Sequence, residues 1–400
     1  MINKLFDLRG LNYKFKTGVN TVNLHILYLL LGNSNIKSLN FLGLGQDRLQ
    51  ELEKEFNWIS QIKQNNIQNS DYSGKKYLNQ TLANADLITQ FYLNLKPKNQ
   101  KFDLIYQAQP KPLPIPANTK FITTFHDLSV VLSVNRRSGI SRNNFLENKI
   151  TYTRLANQAS KIIASSYSTA YDIVKHLKVP ESKVEVIYLA LPNWERLYKD
   201  KLELGLEIDV SLKEINPNLN KDNYFLAISG YEFRKNFHNL ILAWHKFQNQ
   251  HPSLASDKYL VIAGSLVDLK YYQYLLKLKA ELEIRNLVLL TEINLEQKNC
   301  LLSNCTALVY PSLYEGFGFP ILEANKFGKG VITSFNSSMP EVSGRTGFLV
   351  NPMITDQIAD SFYIYLTDTT LRLELENNTA KNLSRFSWSE YETRLSQLLN

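Results

Sequence analysis

The sequence predicts an α/β protein built from two parallel-sheet domains, and three observations predict it. Its 400 residues exceed what one hydrophobic core usually serves, so two domains of roughly 150 to 200 residues each are expected. Short apolar or β-branched runs alternate with helical patterns, as buried strands joined by crossover helices do. Between the halves, Leu191 to Asp222 is rich in Asn, Lys and Glu, with Pro192 and Pro217 breaking any long helix.

Taken in order, the first half offers strands at Leu5–Leu8, Asp103–Tyr106, Phe121–Phe125, Lys161–Ala164 and Val184–Tyr188. The second half alternates more regularly, with strands at Tyr224–Ile228, Tyr259–Ala263, Leu287–Leu290, Ala307–Tyr310 and Val331–Thr333. This divides the chain into a first Rossmann-like domain at 1–195, a linker at 196–221 and a second Rossmann-like domain at 222–385. A closing helix at 386–400 follows, in which a serine before Glu390 offers a cap and the aromatics Phe386 and Trp388 need a surface to pack on. In open α/β sheets ligands bind beyond the carboxyl ends of the strands. The segments that matter are therefore 230–236, 264–268, 291–295, 311–320 and 334–341.

Composition excludes several classes. A 44% hydrophobic and 20% charged chain is an ordinary globular protein without the make-up of a disordered tail. The apolar stretch Ile26–Leu31 is far short of the roughly 20 residues a membrane span needs. Met1–Asp7 carries an acid and no small-residue cleavage site, so a cytoplasmic protein is expected. Cys300 and Cys305 read as core thiols, and the six scattered histidines form no metal-ligand pattern, so neither a metal nor another cofactor is expected.

Charge is uneven. Residues 1–200 hold 26 Lys and Arg against 15 Asp and Glu, a net +11, while residues 201–400 hold 19 against 22, a net −3. That basic half either meets something anionic, such as a phospholipid surface or a phosphorylated acceptor, or carries plain solubility charge. Its lysines are dispersed and not interleaved with aromatics in a stripe, which argues against nucleic acid.

The chemistry concentrates in Tyr310–Ala324, which follows a strand and leads into a helix. Pro320 suits the first helical position and Gly328 the position just past the end, giving a helix from Pro320 to Phe327. Gly316 and Gly318 let the backbone around Phe317 and Phe319 approach a ligand, and the helix start offers N–H groups and a positive dipole end to a phosphate. Glu323, one turn in, is placed to accept hydrogen bonds from sugar hydroxyls. Glu315 is expected to stay in the loop, free to meet the transferred sugar or its developing charge.

Two further strand ends contribute. After Ile228 come Arg234 and Lys235, adjacent cations suited to a leaving diphosphate, then Asn236 as N-cap of a helix at Phe237–Phe247. In the first half, Thr123–Leu128 sets His126 and Asp127 just past a strand. Lys16–Asn20, with Gly18 and Val19, is a turn whose amides offer an acceptor or phosphate loop.

These residues resemble the retaining glycosyltransferases of family 4, which have the GT-B architecture of two Rossmann-like domains with a cleft between them. The likeness covers Asp7-Leu8-Arg9 with Gly18-Val19, Phe125–Leu128, Ile163–Ser168, Arg234-Lys235-Asn236, the Glu315-x7-Glu323 segment and Met339–Val342 followed by Gly347–Val350. It implies that the first domain binds a glycan or lipid-linked acceptor, and that the second binds a GDP- or UDP-type sugar, with mannose as the hexose; peripheral contact with an anionic membrane is the expectation that the basic first half adds. It further implies that Arg234 and Lys235 hold the diphosphate, Glu315 and the Gly316–Phe319 backbone the sugar, and Glu323 the ribose. His126 hydrogen-bonds the donor sugar, and Thr291, Glu292 and Ile293 form the base-binding loop. Where many members have Gly-Arg, this chain has Ser229-Gly230, which assigns the missing cation to Arg234. The implied reaction is a metal-independent front-face displacement in which the leaving phosphate helps deprotonate the acceptor. The alternative is a catalytically silent nucleotide- or glycan-binding protein acting as a partner subunit, against which intact Glu315, Glu323, Lys235 and His126 argue.

Overall fold

A computed structural model describes residues 4–7, 22–28, 39–42, 102–113, 115–132, 142–191 and 210–400. The chain forms two compact units. The first gathers Met1–Val131, Ser141–Glu203 and Trp388–Asn400, and the second gathers Leu132–Ile140 and Leu204–Ser387.

The first unit holds β1 (Lys4–Asp7), β2 (Leu39–Leu42), β3 (Leu104–Gln107), β4 (Lys120–Phe125), β5 (Lys161–Ala164) and β6 (Val184–Val186). They form one sheet in the order β2-β1-β3-β4-β5-β6, all pairs parallel. Chain order reverses between β1 and β3, and there Gln107 Nε2 donates to Asp7 Oδ2 at 2.8 Å. The helix Trp388–Leu399 belongs to this unit. Its Trp388 ring stacks on His25 at 4.3 Å, and the indole N–H donates to the Leu191 carbonyl at 2.7 Å. The helix begins at Trp388, so Ser389 falls inside the first turn and not at the cap expected from the sequence.

The second unit holds β7 (Tyr224–Ile228), β8 (Tyr259–Gly264), β9 (Leu287–Thr291), β10 (Ala307–Tyr310), β11 (Val331–Ser334) and β12 (Gly347–Val350), in the order β12-β11-β10-β7-β8-β9. All pairs are parallel. Every residue of β7, β10 and β11 is buried, as expected of strands covered on both faces. One face packs on a cluster of Phe225, Trp244, Phe247, Phe362 and Tyr365, with Phe225 and Phe362 ring centroids 4.8 Å apart. The chain runs β7 to β9 in one direction, then returns to the other side of β7 for β10 to β12. That reversal falls between β7 and β10, whose carboxyl ends mark the position where α/β sheets bind ligands.

Candidate active site

The two strands flanking the reversal each carry a charged loop. Past β7, Tyr231 is fully buried and its phenol donates within reach of the Ile262 and Leu290 carbonyls, at 2.8 and 3.0 Å. This fixes the entry into a single turn of 3-10 helix at Phe233–Lys235. Past β10, Leu313 N donates to the Arg234 carbonyl at 2.8 Å, tying the loops together.

Glu315 joins the two charges. Its Oε2 accepts from Arg234 Nη1 at 2.6 Å, and its Oε1 accepts from Lys235 Nζ at 2.6 Å, Tyr310 Oη at 2.7 Å and Ser312 Oγ at 2.8 Å. The residue is 7% exposed. The expectation of a free loop carboxylate is thus overturned: four side-chain donors saturate it. Arg234 is forked on its other edge by Glu232, through Nε at 3.0 Å and Nη2 at 3.3 Å, and Nη1 also reaches the Tyr314 carbonyl at 3.2 Å. Burial would raise the Glu315 pKa, but the Arg234 and Lys235 charges outweigh it and bring it down to about 2. Burial, and then the neighbouring Arg234 charge, push Lys235 below its ordinary value, against the pull of Glu315 and Glu232.

A serine-rich loop after β11 shapes the glycine run. Ser337 Oγ accepts from Glu315 N at 3.1 Å, Ser338 Oγ lies 3.0 Å from the Glu315 carbonyl and 2.8 Å from that of Phe317, and Asn336 donates to the Leu313 carbonyl at 2.7 Å. Gly318 sits at φ +110, a conformation side chains disfavour, and starts the helix Phe319–Lys326 one residue earlier than the proline suggested. Gly328 closes that helix at φ +71, as expected. Phe317 is core, its ring packed on Phe319 and Phe386. Glu323 Oε1 accepts from Lys298 Nζ at 2.8 Å.

Asn236 stands at the start of the helix Phe237–Gln250 but does not cap it with its side chain. Its backbone is left-handed, at φ 64, and its amide nitrogen donates to the Pro311 and Pro352 carbonyls at 3.0 and 2.7 Å. It therefore clamps the β10 loop. In the base-loop candidate, Thr291 ends β9, Glu292 takes a left-handed φ of 56, and its carboxylate lies 3.4 Å from Leu266 N, with Ile293 next in line. At the neighbouring strand end a Cβ on Gly264 would stand 1.7 Å from the Ser229 carbonyl, so only glycine fits there.

In the first unit, His126 follows β4 and is 8% exposed. Its Nε2 pairs with the Ala108 carbonyl at 3.0 Å, which makes Nε2 the protonated nitrogen and leaves Nδ1 an acceptor. Among the described residues Nδ1 is buried without a partner. Burial lowers the His126 pKa, against smaller opposing effects from Ala108 and Asp127, so the ring is neutral. Ser165 Oγ donates to the His126 carbonyl at 2.7 Å, while Asp127 is taken up by Ser129 N and Oγ at 2.8 and 2.7 Å. Asp127 is thus a turn residue. Gly18 and Val19 lie outside the described residues.

Sequence reading missed Glu232, Tyr310, Ser312, Ser337 and Ser338. The signal available was a tyrosine ending an otherwise aliphatic buried strand, and a serine run on one of the loops at the strand ends. Among the described residues no three His, Cys, Asp or Glu side chains gather as a metal group, and no helix is long and apolar enough to cross a membrane.

Two parallel-sheet α/β units, the second with a charged loop pair at its reversal point, define a GT-B protein. The fold is shared with the solved structure of Anabaena Alr3699/HepE in complex with UDP-glucose, at TM-score 0.64 and 16% identity, over 100% of this chain and 99% of that one. Residues 211–382 match the model described as Glycosyl transferases group 1, and residues 65–191 match Glycosyltransferase Family 4. The chain belongs to glycosyltransferase family 4. It is 27% identical over 284 residues to the serotype-specific mannosyltransferase WbdA of Escherichia coli, matching 69% of this chain but 33% of that protein, so it spans about a third of that relative's length. It is also 28% identical over 356 residues to the O-antigen chain mannosyltransferase B of Escherichia coli, covering 84% of this chain and 86% of that one.

Proposed function

We propose that the chain transfers a hexose, mannose in the first instance, from a nucleoside-diphosphate sugar to a glycan or lipid-linked acceptor with retention of configuration. The observation that carries this reading is the Arg234–Lys235–Glu315 cluster beside the helix start at Gly318–Phe319. Lys235 and Arg234 take the diphosphate, the Gly316–Phe319 backbone lies against the sugar, Glu323 takes the ribose, and Thr291–Ile293 edge the base. Glu315 works through the two cations it holds. The mannosyltransferase names of the relatives support mannose as the hexose.

In the reaction the acceptor oxygen attacks the anomeric carbon on the face from which the phosphate departs. The carbon–oxygen bond to the phosphate breaks, the new glycosidic bond forms, and the acceptor proton passes to the departing phosphate. Lys235 stabilises the negative charge that collects there. Neutral His126 offers Nδ1 as an acceptor for a sugar hydroxyl. The net +11 of residues 1–200 supports an anionic acceptor, such as a lipid-linked phosphate at a cytoplasmic membrane face.

A panel of UDP-, GDP-, ADP- and dTDP-sugars tests the proposal through thermal stabilisation and slow donor hydrolysis. GDP-mannose is expected to raise Tm and to be hydrolysed with the α-anomer released. No response to any donor sinks the proposal, and a β-product sinks the retaining mechanism.

A further inference from the structure

Arg234 is held from two sides that differ in kind. On one, Glu315 is buried and also accepts from Lys235, Tyr310 and Ser312, so its position is fixed by four donors. On the other, the Glu232 side chain is 20% exposed and, among the described residues, its carboxylate has Arg234 as its hydrogen-bond partner. Gly230 presents no side chain beside it: a methyl group there would stand 3.7 Å from Glu232 Oε1.

Two observations bear on what that outer carboxylate does. First, Arg234 spends its Nε and Nη2 on Glu232 and its Nη1 on Glu315 and Tyr314, which commits four of the guanidinium's five N–H groups. Second, the cluster sets two carboxylates against two cations, so it carries no net charge with which to attract a diphosphate. A carboxylate forked onto a guanidinium edge makes the same two parallel hydrogen bonds that a phosphate makes.

We propose that Glu232 is an internal stand-in for phosphate, and that it and a donor phosphate compete for the Nε/Nη2 edge of Arg234. The exchange leaves the Glu315 side untouched, because that carboxylate is anchored by three further donors. Once Glu232 swings off, the remaining Glu315, Arg234 and Lys235 carry a net positive charge toward the ligand. Glu232 thereby sets donor affinity and eases release of the diphosphate product, since it re-forms the fork as the phosphate leaves. This inference rests on the donor site proposed above.

The test is calorimetric titration of UDP and of GDP into wild type, Glu232→Gln and Lys235→Ala. The glutamine keeps the shape but removes the competing charge, so it is expected to bind the preferred diphosphate about tenfold more tightly, the scale of one charge-assisted hydrogen bond. Lys235→Ala is expected to bind it more weakly. Binding by wild type that is unchanged or weakened in Glu232→Gln overturns the exchange while leaving the donor site standing. Failure of wild type to bind either diphosphate overturns both. A second measurement needs no Glu232 variant: the Arg234 Nε–H resonance of the native chain, assigned by its loss in Arg234→Lys, is expected to move on adding the diphosphate. An unmoved signal overturns the exchange.

Discussion

The charged cluster of the second unit and the His126 site of the first solve opposite problems. Around Glu315 every charge is matched, with Glu232, Arg234 and Lys235 linked through contacts of 2.6 to 3.3 Å. Around His126 the ring is neutral, one nitrogen is spent on Ala108, and the other is buried without a partner among the described residues. The first arrangement holds charges ready for a charged ligand and suffers most from losing a member, because a buried charge left alone is costly. The second keeps an unmet acceptor, the one proposed for a sugar hydroxyl, and losing it strands no charge.

The largest effect expected from this contrast is at Lys235. Replacing it by alanine removes the donor proposed for the departing phosphate and is expected to lower kcat/KM by about 10²- to 10³-fold. A purified variant that melts as a folded protein yet keeps wild-type activity would break the assignment of the cluster to the donor. Next comes Glu315→Gln, which strands the buried Lys235 and leaves Arg234 with Glu232 alone, and is expected to destabilise the chain by about 3 kcal/mol at pH 7, read from denaturant unfolding. Its pH dependence sharpens the point. The folded pKa of Glu315 is depressed to about 2, so its contribution is present above the ordinary carboxylate pKa and is lost as pH falls toward 2. The stability gap between wild type and Glu315→Gln is therefore expected to narrow from pH 5 downward. A gap constant with pH would mean that the carboxylate is not ionised by its partners.

How much of this was legible depended on the range of the interaction. Strands β7, β10 and β11 were readable because parallel strands buried on both faces are continuous apolar runs. β12 was not, because Gly347, Phe348 and Leu349 are only partly buried or exposed and open on a glycine. β2, reading Leu-Asn-Phe-Leu, is four residues long and interrupted by a polar side chain. In the site, the residue types and strand-end positions were visible, and so was the helix that follows Gly318. The pairing of Glu315 with residues 80 and 81 positions away was not, since only the sheet order β10-β7 brings those loops together. Asn236 shows the same limit: its type suggested a helix cap, but its amide serves two carbonyls from distant loops.

The smallest effect is expected at His126, and it tests the other half of the comparison. His126→Gln keeps a hydrogen-bonding side chain while removing the imidazole acceptor, and is expected to lower kcat/KM by about tenfold, one neutral hydrogen bond's worth. The sign of the pH dependence follows from the depressed pKa. Folding keeps the ring unprotonated while the unfolded chain protonates it near pH 6.5, so wild-type stability is expected to fall as pH drops through 6.5 toward the folded pKa. His126→Gln should lack that component, which paired melting curves at pH 7.5 and 5.5 would register as a smaller loss of Tm. Because no charge is stranded, the variant's stability at pH 7.5 is expected to stay close to wild type, unlike that of Glu315→Gln. A collapse in stability at that pH would mean that His126 is a structural pillar like Glu315, and the contrast between a matched site and an open one would not hold.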